Sequence, residues 1–445
     1  MNLRDQIKEA GVIGAGGAGF PTHVKLDAKA EFVLLNGAEC EPLLRVDQQL
    51  MEYFPEEVIK GLEKARQHVK GKKALIGIKE KHTKVIDKLE RKIKELQVES
   101  TVEIKKMADV YPAGDEQVLV YELTGRVVPE AGIPIHVGCV VINSETALNI
   151  HRAINQDPVT HSYITVSGDV PNPLTAKVPV GMKIIDALKL TGINDFQNHR
   201  VIDGGPMMGR VLESLEGSVT KKSKGYIVLH KDHYLIKKKT VTWKQSRRIN
   251  RSACEQCRLC TDLCPRFLIG HSIQPHKIMN ASNYLTPNMN HLKRVQLCCQ
   301  CNLCELFACK SGLYPQRNNT FFKEELAEHK VKYQPQEKSY KPHEIREYRM
   351  VPSKRLVARL GLSKFDEKAP LIKEEVRVDE VIISMRQHVG APSNPIVSVN
   401  DEVQLGQMIG RAPDGSLSAS THASISGKVS SVEKDFIVIR GEKYV

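Results

Sequence analysis

Cys254, Cys257, Cys260 and Cys264, the last followed by Pro265, and then Cys298, Cys301, Cys304 and Cys309, make up eight of the eleven cysteines of this chain. The first run has the spacing CxxCxxCxxxCP, and the second repeats it with a longer last gap and Lys310 in place of the proline. Two-residue gaps let three thiolates wrap the corners of one cubane while the fourth reaches a second cluster. The expected chemistry is electron transfer through two [4Fe-4S] clusters. Crossed ligation would give one cluster Cys254, Cys257, Cys260 and Cys309, and the other Cys298, Cys301, Cys304 and Cys264. Cys299 would be a spare thiol. Zinc is the lesser reading, because zinc sites use paired CxxC knuckles across a spacer. A disulfide scaffold belongs to small secreted chains.

The second chemical signal is a run of glycines. An amphipathic helix over Leu3, Ile7 and Ala10 leads into Gly11, Gly14, Gly16, Gly17 and Gly19, then Phe20 and Pro21. Without Cβ atoms such a loop can turn sharply and aim several N–H groups at one anion, as a phosphate requires. Gly14, Gly16 and Gly19 satisfy GxGxxG, but a helix rather than a strand precedes them, and no GK[ST] follows. The loop is therefore neither a Rossmann fingerprint nor a Walker loop.

The elements that must position this loop alternate. A strand at Phe32–Leu35 ends in Asn36, Glu39 and Cys40. A helix over Pro55–Val69, a strand at Ala74–Ile78, a helix over Lys84–Leu96 and a strand at Val102–Lys106 follow. Then come the loop Tyr111–Glu116 (YPAGDE), a helix over Gln117–Leu123, and a strand at Val137–Ile142 closed by Asn143 and Thr146. This is a doubly wound α/β pattern, with polar residues at the strand ends where such sheets bind ligands. Cys40 and Cys139 read as small buried thiols.

Composition narrows the partners. The formal charge is +13, yet the lysines are dispersed and there is one tryptophan. A solvated surface, with some attraction for anionic cofactors, explains this better than nucleic acid. No run approaches the length of a membrane span. At 445 residues the chain should hold several domains.

The segments GAGGAGFPTHVK (Gly14–Lys25), NGAECEP, YPAGDE and INSET resemble the flavin-binding stretches of the flavoprotein subunit of respiratory complex I. With CEQCRLCTDLCPRFLIGH (Cys254–His271) and GGPMMG (Gly204–Gly209), the whole chain resembles the PduS family, cobalamin reductases of propanediol-utilisation microcompartments and relatives of RnfC. The resemblance implies non-covalent FMN, with Gly14, Gly16 and Gly17 facing the phosphate. Phe20 and Lys25 would border the nicotinamide side, and Asn36, Glu39, Gly114, Asp115, Glu116, Asn143 and Thr146 would line the flavin. It further implies NADH as donor, cobalamin as acceptor, a corrinoid adenosyltransferase and microcompartment shell or enzymes as partners, and a bacterial cytoplasmic location inside a microcompartment. A homo-oligomer is compatible with it. The alternative is an RnfC-like or proline-reductase-associated subunit that passes electrons to another protein.

The expected organisation is multidomain α/β and α+β. Residues 1–158 form the FMN/NADH domain and 159–236 a unit resembling the ubiquitin-like SLBB module, in which Ser162–Ser167, Lys177–Val180 and Arg200–Ile202 read as strands. Residues 243–332 form a helical two-[4Fe-4S] ferredoxin-like domain closed by a helix at Phe321–His329. His271 and His276 read as packing histidines rather than ligands. Residues 333–375 read as a linker. Residues 376–445 resemble a lipoyl-like barrel-sandwich domain in which Ile425, Ser426 and Gly427 replace the carrier lysine, leaving a docking role.

Overall fold

The computed structural model describes residues 2–252, 254–281, 289–335 and 339–441. Its first unit is a four-stranded parallel sheet in the order Val102–Met107, Lys73–Lys79, Phe32–Asn36, Cys139–Asn143. Lys73–Lys79, Phe32–Asn36 and Cys139–Asn143 read as near-continuous apolar runs because both faces are covered by helices, whereas the edge strand Val102–Met107 carries Glu103, Lys105 and Lys106. Chain order runs outward from Phe32–Asn36 through two strands and then returns to its other side. That reversal is a topological switch point, and it opens a crevice at the strands' carboxyl ends. Asn36 and Asn143 are register partners at its mouth. The last strand starts at Cys139, not at Val137 as the apolar run suggested, because Pro134–Val137 forms a 3₁₀ turn ended by Gly138 at φ 72°.

The second unit is a five-stranded mixed sheet in the order Leu174–Pro179, His161–Gly168, Gly225–His230, His199–Asp203, Arg210–Val211, with one helix at Ile184–Lys189. Gly225–His230, at its centre, pairs parallel to one neighbour and antiparallel to the other. The third unit is helical. Short helices at Leu259–Asp262, Pro265–Leu268 and Pro275–Ala281 pack with the longer Pro315–Glu328, on which Trp243 stacks through Phe321 at 4.0 Å between ring centres. That closing helix begins six residues before the expected Phe321, because Pro315 is a favourable first helical residue.

The stretch 333–375 is no bare linker. Val351–Pro352 pairs with Val110–Tyr111. The helix Ser353–Arg359 and the turn after it send Leu356, Val357, Leu360, Leu362 and Phe365 into a core shared with Leu43, Tyr111, Cys301 and Leu306. Its polar composition hid this, since the five apolar residues are spread through a lysine- and arginine-rich segment. The C-terminal unit is a sandwich of a four-stranded and a three-stranded sheet around Val381, Ile383, Ile409, Val429, Ile437 and Ile439. No helix among the described residues is long and apolar enough to cross a membrane.

Leu356 is fully buried, so Leu356→Ala should destabilise the protein by about 3 kcal/mol, the usual cost of such a cavity. Thermal unfolding of the purified variant measures it. An unshifted transition would return this stretch to the status of a linker.

Candidate functional site

The glycine loop is closed on itself. Gly14 N donates to Phe20 O at 2.9 Å, and Ile13 bridges to Pro21. Gly16 and Gly19 sit at φ 75° and 73°, where a Cβ is strained. A Cβ on Gly16 would also strike the Lys224 stem at 2.3 Å, whereas one on Gly17 would meet nothing within 4 Å. Gly17 thus marks the open side of the cradle. Thr146 ties the loop to the sheet, its Oγ1 accepting from Ala15 N at 3.2 Å and lying 2.6 Å from Asn143 Oδ1. Asn143 also caps the helix Ser144–Ile154 by accepting from Thr146 N.

The other flavin-pocket candidates converge on the same crevice but differ in what their side chains do. Asn36 donates to Gly114 O at 2.9 Å, and a Cβ on Gly114 would press Cys40 Sγ at 3.1 Å. Lys25 pairs with Glu116 at 2.8 Å, both partly exposed, and Phe20 is 37% exposed at the rim. Two carboxylates are already engaged. Glu39 accepts from Asp47 N at 3.0 Å and Gln48 N at 3.2 Å, capping the helix Val46–Tyr53. Burial, and then Asp47, push its carboxyl above the usual range against the pull of Lys224. Asp115 caps Glu116–Thr124 with one oxygen and accepts from Arg266 Nη2 at 2.9 Å with the other. Cys40 is pushed up to about 12 by burial, an inert thiol.

The eight cluster cysteines fall into two groups. Burial raises the Cys260 thiol to about 12, and its further neighbours in charge are Cys254, Cys257 and Cys309. Cys304 is raised by burial and then by Cys298, with Cys260 and Cys264 next, and Cys301 has Cys264 and Cys304 among its neighbours. Cys260 thus has Cys254, Cys257 and Cys309 around it, and Cys264, Cys298, Cys301 and Cys304 lie near one another, an arrangement compatible with crossed ligation. Cys264, Cys301 and Cys304 are buried, whereas Cys257 is exposed and Cys254, Cys260 and Cys309 are partly so. The quartet of Cys298, Cys301, Cys304 and Cys264 is therefore the inner one. Among the described residues no three His, Cys, Asp or Glu side chains close onto a point that could hold a single ion.

The surroundings suit all-thiolate, soft-ligand clusters. Gln300 N lies 3.4 Å from Cys298 Sγ and Leu313 N 3.3 Å from Cys309 Sγ, N–H groups of the kind that tune cluster potentials. Asn319, in the helix Pro315–Glu328, donates from Nδ2 to Cys298 Sγ at 3.7 Å. A π-helical turn at Cys304–Ala308, a form common at functional sites, separates Cys304 from Cys309. Cys299 hydrogen-bonds Cys301 and Arg266 rather than standing free. His271 is buried and bonded to Val128 O at 2.9 Å, and His276 lies 2.7 Å from Thr261 Oγ1, so both pack as expected.

The sequence reading missed the residues that join these parts. The Tyr111 hydroxyl donates to Cys301 O at 2.7 Å and lies 3.3 Å from Glu41. Half-buried Glu41 accepts from Met207 N at 2.8 Å and Met208 N at 3.0 Å. Asn302, beside Cys301, donates to Met207 O at 3.0 Å, and Lys239 donates to Met207 O and Gly209 O. The GGPMMG loop is therefore a joint between the flavin-type sheet, the second unit and the inner quartet. Gly205 is obligatory there, since a Cβ would fall 2.1 Å from Glu41 Oε2. The second unit also supplies Lys224, which pairs with Asp47 at 3.1 Å and Glu145 at 3.2 Å. Buried Lys221, pulled down to about 7 by burial, donates to Gly11 O at 2.9 Å and Ser420 O at 2.8 Å, fastening the barrel-sandwich unit to the start of the glycine loop.

Residues 7–152 match the Nuo51 FMN-binding domain, 253–314 a 4Fe-4S dicluster domain, and 362–443 the RnfC barrel sandwich hybrid domain. A solved NAD+-reducing [NiFe]-hydrogenase in the H2-reduced state shares the fold at a TM-score of 0.50 and 20% identity, over 76% of this chain and 63% of that one. Together these define a flavo-iron–sulfur electron-transfer protein with FMN and [4Fe-4S] clusters as its cofactors. The chain is 43% identical to the cobalamin reductase PduS of Salmonella typhimurium, over 99% of this chain and 96% of that protein. It is 42% identical to that of Citrobacter freundii, over 99% and 97%. It is 34% identical to a component of the Na+-translocating ferredoxin:NAD+ oxidoreductase complex of Acetobacterium woodii, over 64% of this chain and 61% of that component. The chain belongs to the PduS cobalamin reductase family.

Two clusters require about eight iron and eight sulfide per chain, by the four-iron stoichiometry of each cubane. Cys299→Ser should leave that content unchanged, while Cys301→Ser should lose about half of it. Iron and acid-labile sulfide assays on anaerobically prepared protein decide the matter. The reverse pattern would move the ligand register by two residues.

Proposed function

We propose that this protein is an NADH-dependent cobalamin reductase that takes two electrons from NADH and delivers them singly, through FMN and two [4Fe-4S] clusters, to a corrinoid. Bound FMN supplies the conversion between hydride chemistry and one-electron chemistry. Support comes above all from one juxtaposition. The crevice at the sheet's switch point adjoins the inner quartet through Tyr111 to Cys301 and through Asp115 to Arg266, two residues beyond Cys264.

In this reading Gly14, Gly16 and Gly17 present backbone to the FMN phosphate, with Thr146 and Asn143 holding the loop in place. Asn36, Gly114, Glu116 and the backbone of Glu39 and Asp115 border the flavin. The side chains of Glu39 and Asp115 act by fixing helix starts, so their contribution is to position the crevice. Phe20 and Lys25, at the open rim, border the nicotinamide of NADH. The inner quartet receives electrons first because it is the one beside the crevice, and the outer quartet, with Cys257 exposed, faces the acceptor.

The finer organisation belongs to the same proposal. Residues 159–236 act as an SLBB-type, ubiquitin-like spacer, for which the mixed sheet with one helix at Ile184–Lys189 is the support. The barrel-sandwich unit acts in docking, having no lysine at Ile425–Gly427. A corrinoid adenosyltransferase would take the reduced product, within a propanediol-utilisation microcompartment of the bacterial cytoplasm.

Gly17→Asp places a carboxylate on the open side of the cradle, against the phosphate, and should abolish FMN binding by charge repulsion and bulk. The clusters, held by a separate unit, should still assemble. NADH should then fail to bleach them while dithionite succeeds, as followed by anaerobic absorbance. Cluster bleaching by NADH at the wild-type rate would remove the flavin from the path.

A further inference from the structure

Beside the outer quartet the surface opens into a basin of about 600 Å³, within the range of small-molecule sites. Its floor touches the quartets through their chain neighbours. Leu259 precedes Cys260, Leu263 precedes Cys264, and Ala308 and Lys310 flank Cys309. Phe307 and Met350 complete an apolar floor.

The rim is of one charge. Arg349, Arg355 and Arg359 line it together with Lys310, all four are exposed, and no Asp or Glu lines the basin. Arg355 and Arg359 stand one turn apart on the helix Ser353–Arg359, so they project along the same face. Arg355 lies 5.9 Å from the Phe307 ring centre. Among the described residues none of the four forms an ion pair. A cationic cluster without counter-charges beside an apolar floor attracts an acceptor-rich occupant.

We propose that this basin is the docking site of the corrinoid, seating one face of the macrocycle on the apolar floor and presenting guanidinium donors to its amide carbonyls and phosphodiester. The assignment rests on the cobalamin-reductase reading and adds where the acceptor sits. Each NADH, in becoming NAD+ and a proton, releases two electrons, enough to reduce two cob(III)alamin to cob(II)alamin. A second basin near a quartet, about 700 Å³ beside Gln300 and Asn302, carries Glu213, Glu305 and Glu324 among its basic residues and lies on the inner side. It lacks both the uniform charge and the nearness to the exposed cluster.

The test uses the holoprotein and the surface double variant Arg355→Glu/Arg359→Glu, with Arg349→Glu as an independent second variant. Arg247→Glu/Arg251→Glu on the separate cationic helix Trp243–Ser252 serves as the control for overall charge. Hydroxocobalamin binding is measured by equilibrium dialysis without NADH, and cluster bleaching by NADH without corrinoid. The basin variants should bind hydroxocobalamin about tenfold more weakly, as the loss of interfacial charge–acceptor contacts predicts. Their bleaching rates and the binding by the control should stay at wild-type values. Unchanged corrinoid binding by both basin variants, or an equal loss in the control, overturns the assignment. The same holds if the variants lose only electron transfer to an acidic protein carrier. If wild-type holoprotein is bleached by NADH but neither binds nor reduces hydroxocobalamin, the corrinoid reading itself fails together with the site.

Discussion

The Glu41 carboxylate lies half-buried where three folding units meet, and the geometry of the proposed electron path depends on it. It accepts two backbone N–H groups from the GGPMMG loop and lies beside Tyr111, whose hydroxyl reaches the backbone of Cys301. Burial raises its pKa, with the two N–H bonds and Lys239 pulling the other way. A buried carboxylate is tolerated only when hydrogen-bonded or paired, and loss of such a partner costs about 1–3 kcal/mol. The joint is thus specific. Only a loop with glycine at 205 can approach that closely, and the bond to Cys301 O fixes the flavin-type sheet against the inner quartet.

From that joint the proposed route follows in space. The switch-point crevice lies on one side, the inner quartet on the other, and the outer quartet beyond it with its thiols nearer solvent. The second unit and the barrel-sandwich unit hold the entrance. Lys224 is anchored by Asp47 and Glu145 with its stem against Gly16, and Lys221 bonds both Gly11 and Ser420. Neither lysine is a surface charge. Each is a strut between units, which gives part of the chain's positive excess a structural role.

The dicluster and FMN domains were legible in the sequence because their signals are local: thiol spacing and missing Cβ atoms are written in consecutive residues. The parallel sheet was legible because Phe32–Asn36, Lys73–Lys79 and Cys139–Asn143 are mostly apolar and buried, alternating with helices. Contacts between distant segments were not legible. Tyr111 to Cys301, Glu41 to Met207 and Asp115 to Arg266 span 151 or more residues in sequence, and no local pattern marks one member as the partner of the other. Glu39 and Asp115 show a related limit. The motif marked them as flavin-lining residues, but whether a carboxylate faces a ligand or caps a helix depends on where the next helix starts, and both side chains cap helices. The structured part of 333–375 was hidden for a third reason, since its apolar residues pack on other units and leave little periodicity of their own.

The order of the two clusters is the central claim, and a protein lacking the inner one tests it most directly. Cys298→Ser should lose the inner cluster and keep the outer, whose ligands are Cys254, Cys257, Cys260 and Cys309. Mixed with NADH in an anaerobic stopped-flow, that protein should bleach its flavin while the outer cluster stays oxidised, with dithionite still able to reduce it. Reduction of the outer cluster by NADH at the wild-type rate would contradict the account, because electrons would then reach it without passing through the inner quartet.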